Sequence, residues 1–176
     1  MARYTFRRAR ITLEAPSTWR KGPFLKRMLY PHQPELFGPN NEYIGVDSVD
    51  SVDRVDRPLT VAEATVLLRD YIVGRGNRVV SVSSLEVGGK EHATAIFDKP
   101  MPYQPREVIR MKKYRLALAG FVYTITATLS FEGSIADAGE GSPYTRGYVL
   151  TSWSRRTTFY SEDGYDRIVK SITVSL

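Results

Sequence analysis

The sequence contains no cysteine. No disulfide can brace the fold, no thiolate can hold zinc and no cysteine nucleophile exists, which removes several enzyme classes at once. Long apolar runs are missing too: no stretch approaches the ~20 residues that a membrane-spanning helix needs. The opening "MARYTFRRAR" has the basic end of a signal peptide without the apolar run that follows one. The chain therefore reads as soluble, cytoplasmic or, if a transit peptide has been removed, inside an organelle. Histidine is scarce. His32 and His92 lie sixty residues apart, one in a proline-rich stretch and one at the start of an expected strand, and neither has the spacing of a metal helix or a triad. No Walker loop, G-x-S-x-G elbow or G-x-G-x-x-G after a strand occurs, and "GEGSPYTRG" is glycine-rich only superficially. The expectation is a protein that is not an enzyme, with no catalytic residues, no metal and no cofactor.

What is present is enough apolar material for a core: 42% of 176 residues are hydrophobic, within the size of a single domain spanning 1–176. The net charge of +6 is unevenly placed. Met1 to Arg27 carries eight Lys or Arg against Glu14 alone, whereas Met28 to Pro100 carries seven bases against eleven acids. A second basic group sits in "REVIRMKKYR". Such asymmetry can mark an acidic partner, a nucleic acid or an anionic surface.

Along the chain, "YTFRRARITLEAP" suits one or two short strands closed by Pro16. "PFLKRMLYPHQPELFGPN" holds four prolines and reads as a loop with one helical turn, unable to form a long helix or a central strand. "EYIGV" is a short strand candidate. It leads into "VDSVDSVDRVDRP", Val46 to Pro58, whose period of three fits neither a strand nor an α-helix. The acids Asp47, Asp50, Asp53 and Asp56 lack the alternate spacing and central glycine of a calcium loop, so the repeat reads as a polar connector. Beyond it, Thr60 and Glu63 make a capping box, and Ala64, Leu67, Leu68, Tyr71 and Ile72 form one helix face closed by Gly74. Leu67 and Leu68 are both expected against a sheet.

Four strands follow, "NRVVSVSSLEV", "HATAIF", "EVIRMKKYRLAL" and "FVYTITATLSF", turning at Gly88-Gly89, at the break "PMPYQP" and at Ala119-Gly120. In the last strand Phe121, Tyr123, Ile125, Ala127, Leu129 and Phe131 share one face, and Val122, Thr124, Thr126, Thr128 and Ser130 share the other. "EGSIADAGEGSPYTRG" reads as an exposed loop, "YVLTSW" as another strand, "SEDGYDRIVKS" as a helix capped by Ser161, and "ITVSL" as a terminal strand. This order predicts an α+β fold with helices on an antiparallel sheet.

A short strand pair running into P-x-x-W ("ARITLEAPSTW"), a capped helix, a meander carrying "GFVYTITA" and a final helix ending "IVKSITV" together resemble the PsbP/MOG-like superfamily. That group includes photosystem PsbP proteins, Ran-binding MOG proteins, and DcrB-like and Eag-type adaptors. The resemblance covers nearly the whole chain. It implies one αβα sandwich, with irregular insertions near 22–41, 46–58 and 132–147, that binds other macromolecules rather than performing chemistry. The implied function is a protein-binding accessory subunit or adaptor docking on a larger assembly, of photosystem or respiratory type or a secretion effector.

Two surfaces are candidates for partner binding. One is the hydroxyl face Thr124, Thr126, Thr128 and Ser130, if helices leave it uncovered. The other is the basic group Arg106, Arg110, Lys112, Lys113 and Arg115, in which Arg110 and Lys112 face oppositely to Lys113 and Arg115; Arg7 and Arg8 in the basic N-terminal segment are further candidates. The alternative function is a nucleic-acid or anionic-surface binder using "RYTFRRAR", with Tyr4 and Phe6 stacking beside the arginines.

Overall fold

The computed structural model describes residues 1–51, 59–101, 104–132, 157–158 and 160–175. The β1 strand (Ala2–Phe6) and β2 (Ile11–Ala15) form an antiparallel hairpin, and β11 (Thr173–Val174) joins the other edge of β2. A larger antiparallel sheet runs in the order β3 (Arg20–Lys21), β4 (Glu35–Phe37), β5 (Tyr43–Ser51), β9 (Phe121–Glu132), β8 (Gln104–Leu118), β7 (Lys90–Met101) and β6 (Arg78–Val87). β10 (Thr157–Thr158) pairs with the far end of β9. Among the described residues three helices accompany them: α1 (Phe24–Leu29), α2 (Val61–Gly74) and α3 (Glu162–Lys170).

The large sheet carries a buried core on each face, which makes the architecture an α+β sandwich with an antiparallel centre. On one face the small sheet and α3 enclose the main core. Ile11 and Leu13 of β2 and Tyr165, Ile168 and Val169 of α3 meet Tyr114, Leu116, Tyr123 and Ile125 of the sheet. Trp19 of the P-x-x-W turn stacks edge-on against Tyr160 and Tyr165, with ring centroids 5.3 and 6.0 Å away. On the other face Ala64, Leu68 and Ile72 of α2 cover Ala93, Ala95 and Phe97 of β7. The α2 start is as expected, because the Thr60 hydroxyl accepts from the Glu63 amide at 3.2 Å and the Glu63 carboxylate accepts from the Thr60 amide at 2.9 Å. Ser161 likewise caps α3, accepting from the Gly164 amide at 3.0 Å.

Several expectations change. Gly74 is still helical; the left-handed residue is Gly76, with φ of 77°, whose amide bonds to the Val73 carbonyl while Asn77 reaches back to Ile72. Leu68 is 4% exposed but Leu67 is 50% exposed. α2 lies mainly across β6 and β7 and meets β8 at its edge, and Leu67 and Tyr71 overhang that edge. The proline-rich segment contributes α1 and also β4, which adds Glu35–Phe37 to the sheet between β3 and β5.

The triplet repeat is the largest departure. Val46 to Ser51 belong to β5, paired with β9, rather than to a connector. Val46 faces Ile125 and Ser48 faces Thr124, which leaves Asp47 as an extra residue in a β-bulge. That one insertion reconciles a period of three with a period of two. Val49 faces Tyr123 and returns to the core side with Val46, where strict alternation would have pointed it away. A second register shift, between Arg110 and Met111, breaks the alternation of β9 after Leu129: Thr128 faces Met111, Ser130 faces Arg110, and Phe131 lies opposite Ile109. The remainder of the repeat, the loop beyond Glu132 and the "YVLTSW" strand lie outside the described residues.

Candidate functional site

Because α2 lies mainly over β6 and β7, the neighbouring strip of β8, β9 and β5 forms a cleft along the helix edge. The bulge at Asp47 supplies its floor. The Asp47 carboxylate accepts from the Lys113 ammonium at 2.5 Å and from the Thr126 hydroxyl at 2.5 Å, and Lys113 also donates to Thr126 at 2.6 Å. Lys113 is buried, and its ammonium lies 5.5 Å from the Tyr71 ring and 5.9 Å from Phe97, within cation–π range. A buried ammonium needs such an arrangement, since an unpaired one would forfeit its hydration.

Next to it, Glu35 of β4 is buried, accepts from the Tyr43 hydroxyl at 3.1 Å, and forms an ion pair with Lys26 of α1. Burial, and then the Glu35 and Asp47 carboxylates, push the Tyr43 phenol well above its usual range. Gly45 makes room for this ring: a β-carbon there would lie 2.2 Å from the Tyr43 hydroxyl. Lys26, Glu35, Tyr43, Asp47 and Lys113 thus line a cleft of about 460 Å³, bordered by Tyr71 and Arg75 of α2 and by Lys99 of β7. A second cleft, also about 460 Å³, lies on the other side of Asp47 and Tyr71, lined by Leu67, Leu68, Ser48, Thr124 and Arg115.

Both carboxylates are occupied by ammonium groups, and neither histidine lines the cleft. Among the described residues no group of three or more His, Asp or Glu side chains comes together to hold a metal ion.

The sequence candidates distribute unevenly. Thr124 and Thr126 line the clefts, Thr126 with its hydroxyl committed to Asp47. Thr128 is buried, and Ser130 lies past the register shift opposite Arg110. The hydroxyl row is therefore not one accessible face, because the shift interrupts it. Arg110 is bound to the buried Asp98 carboxylate at 2.9 and 3.1 Å, a carboxylate that Arg78 also contacts at 2.7 Å. Lys112 is buried against α3, 2.7 Å from Glu162 and 2.9 Å from Asp166. Both cations are engaged in ion pairs within the fold; Lys112 is buried, whereas the Arg110 side chain remains 38% exposed. Arg7 and Arg8 are exposed on the β1–β2 turn, away from the cleft. The stacking residues proposed beside them are committed elsewhere: Phe6 is in the main core, and the Tyr4 hydroxyl donates to the carbonyls of Pro16 and Trp19.

Sequence reasoning missed Asp47, Glu35, Tyr43, Arg75 and Lys99. The available signal was the triplet itself, since a three-residue period between apolar residues can be a strand with a bulge. It also missed α1. Phe24, Leu25, Met28 and Leu29 recur at i, i+1, i+4 and i+5 on one side of a helix that buries none of its residues, and Tyr30 follows them. All five are more than half exposed.

No family model and no curated protein matches the chain in sequence. Its shape does have matches. The solution structure of cyanobacterial PsbP from Synechocystis sp. PCC 6803 aligns over 99% of this chain and 92% of its own, with a TM-score of 0.55 at 10% identity. A crystal structure from Bacteroides thetaiotaomicron VPI-5482 aligns over 95% of this chain and 46% of its own, with a TM-score of 0.49 at 8% identity. The chain has a PsbP-like fold.

Proposed function

We propose that the protein is a non-catalytic accessory subunit or adaptor that docks on a larger protein assembly. The observation that carries this reading is the unpartnered apolar side of α1, where Phe24, Leu25, Met28, Leu29 and Tyr30 stand together in water. Isolated exposed apolar residues are ordinary, but a contiguous set on one short helix is the usual mark of a protein contact. The resemblance of its sequence motifs to a superfamily of binding proteins, and its PsbP-like fold, agree with that role. Among the described residues no helix is long and apolar enough to cross a membrane.

The docking site is placed on α1 rather than on the basic N-terminus, because Tyr4 and Phe6 serve the core. A photosystem or respiratory-type complex and a secretion effector are both suitable assemblies. The identity of the co-migrating proteins distinguishes them.

The test uses native extract at physiological ionic strength. Wild-type protein should co-migrate with a larger assembly on size exclusion, and Leu25→Asp/Leu29→Asp should migrate alone with an unchanged melting temperature. Wild-type protein that elutes by itself would overturn the proposal.

A further inference from the structure

We propose that the paired clefts beside α2 form a binding site for a linear amphiphile with a single anionic head group, an aliphatic carboxylate being the simplest example. Charge selects the head group. In the first cleft Glu35 is paired with Lys26 and Asp47 with Lys113, so the two carboxylates are matched internally. Arg75 and Lys99 remain, and Lys99 has no ionic partner among the described residues. The surplus is therefore positive. Of this surplus, the Arg75 guanidinium lies over the Tyr71 ring at 5.1 Å, and Lys99 lines the same cleft. A ligand anion placed there needs to displace no existing carboxylate.

The apolar part follows from the adjoining cleft, which meets the first at Asp47 and Tyr71. Asp70 and Arg115 offset one another in charge there, and its wall is Leu67 and Leu68 with the Tyr71 ring. Leu67 and Tyr71 are the two members of the α2 stripe that the sheet fails to cover. Covering them with a hydrocarbon chain removes apolar surface from water, while Arg75 and Lys99 receive the head. Thr124 and Ser48 on the cleft floor are short enough to let such a chain approach the sheet. This site does not involve the apolar side of α1, so it stands apart from the docking role.

Titration calorimetry with decanoate below its micellar concentration tests the site, with decylamine as the cationic probe of equal length. Wild-type protein should bind decanoate saturably at one site and decylamine at least about tenfold more weakly, a factor that corresponds to one charged contact. Arg75→Ala/Lys99→Ala should weaken decanoate binding about tenfold or more without altering the melting temperature. Lys99→Ala alone serves the same purpose if the double variant loses its fold. Leu67→Ser should weaken decanoate severalfold while leaving the preference over decylamine intact. Absence of saturable decanoate binding, equal binding of decylamine, or an affinity unchanged by removing the cations would each overturn the proposal.

Discussion

Individual residues show how burial decides protonation, and His92 is the clearest case. It is buried near the β6–β7 turn, with Nδ1 accepting from the Ala117 amide at 3.2 Å. Nε2 therefore carries the proton and donates to the Val87 carbonyl at 3.2 Å. Burial pushes the imidazole below its ordinary value of 6.5, aided by Lys90 and opposed by the Val87 carbonyl and Glu91. A second proton would set Nδ1–H against the Ala117 N–H. Since the folded form resists protonation and the unfolded chain does not, this contribution is complete above about pH 6.5 and is lost as pH falls below it. Urea melts between pH 7.5 and 5 should show stability declining with acid, and His92→Gln should flatten that slope. A parallel slope in the variant would mean that other groups carry the effect. Asp98 acts in a lower window. Burial opposes its ionisation, but bonds from Arg110 and Arg78 prevail and hold the carboxyl below its ordinary value of 3.8. Its contribution is thus present above that value and fades only in stronger acid.

At the level of the element, β5 turns a repeat into a site. The Asp47 bulge keeps Val46 and Val49 on the core side and aims the carboxylate at Lys113. Deleting Asp47 alone should remove the bulge and let Val46, Ser48 and Val49 alternate in the existing register, with Val49 still opposite Tyr123, but leave Lys113 unpaired, at a cost above about 2 kcal/mol. Deleting Val49–Ser51 should behave differently. Val52 and Asp53 then take the places of Val49 and Asp50, the β5 pattern survives, and the shorter connection to α2 costs less than about 1 kcal/mol. Comparable urea midpoints for the two deletions would mean that the Asp47 carboxylate on the bulge contributes little to holding Lys113. α2 offers a similar contrast. Leu68→Ala should cost about 2–4 kcal/mol through the cavity it leaves, and Leu67→Ala less than about 1, by denaturant unfolding. The meander, the capping box and the Ser161 cap were legible in the sequence because each depends on neighbouring residues alone. The bulge, the reach of α2 and the fate of Arg110 and Lys112 were not. They depend on which strand lies opposite, and no local periodicity carries that information.

At the scale of the whole molecule, the large sheet has a different core on each face, and buried ion pairs set how the outer layers are attached. Lys112 is the link on the α3 side. Its ammonium contacts Glu162 and Asp166, while the Tyr114 hydroxyl donates to Asp166 at 2.8 Å. Read as sequence, this lysine belongs to a basic strand; in the fold it faces the acids of the last helix. Burial, and then the Asp166 and Glu162 carboxylates, raise the Tyr114 phenol far above its usual range, so it remains a donor at any physiological pH. Lys112→Met would preserve the packing of the side-chain stem but leave Asp166 facing the sheet without its cation. The expected loss is about 3 kcal/mol, because removing one partner of a buried pair strands the other. The loss should also be local in character. Hydrogen exchange should show α3 and β11 losing protection before β8 and β9, since α3 and the small sheet share the layer that Lys112 fastens. Uniform loss of protection across both cores, or a penalty below about 1 kcal/mol, would mean that the apolar contacts of Tyr165, Ile168 and Val169 hold this layer without electrostatic help.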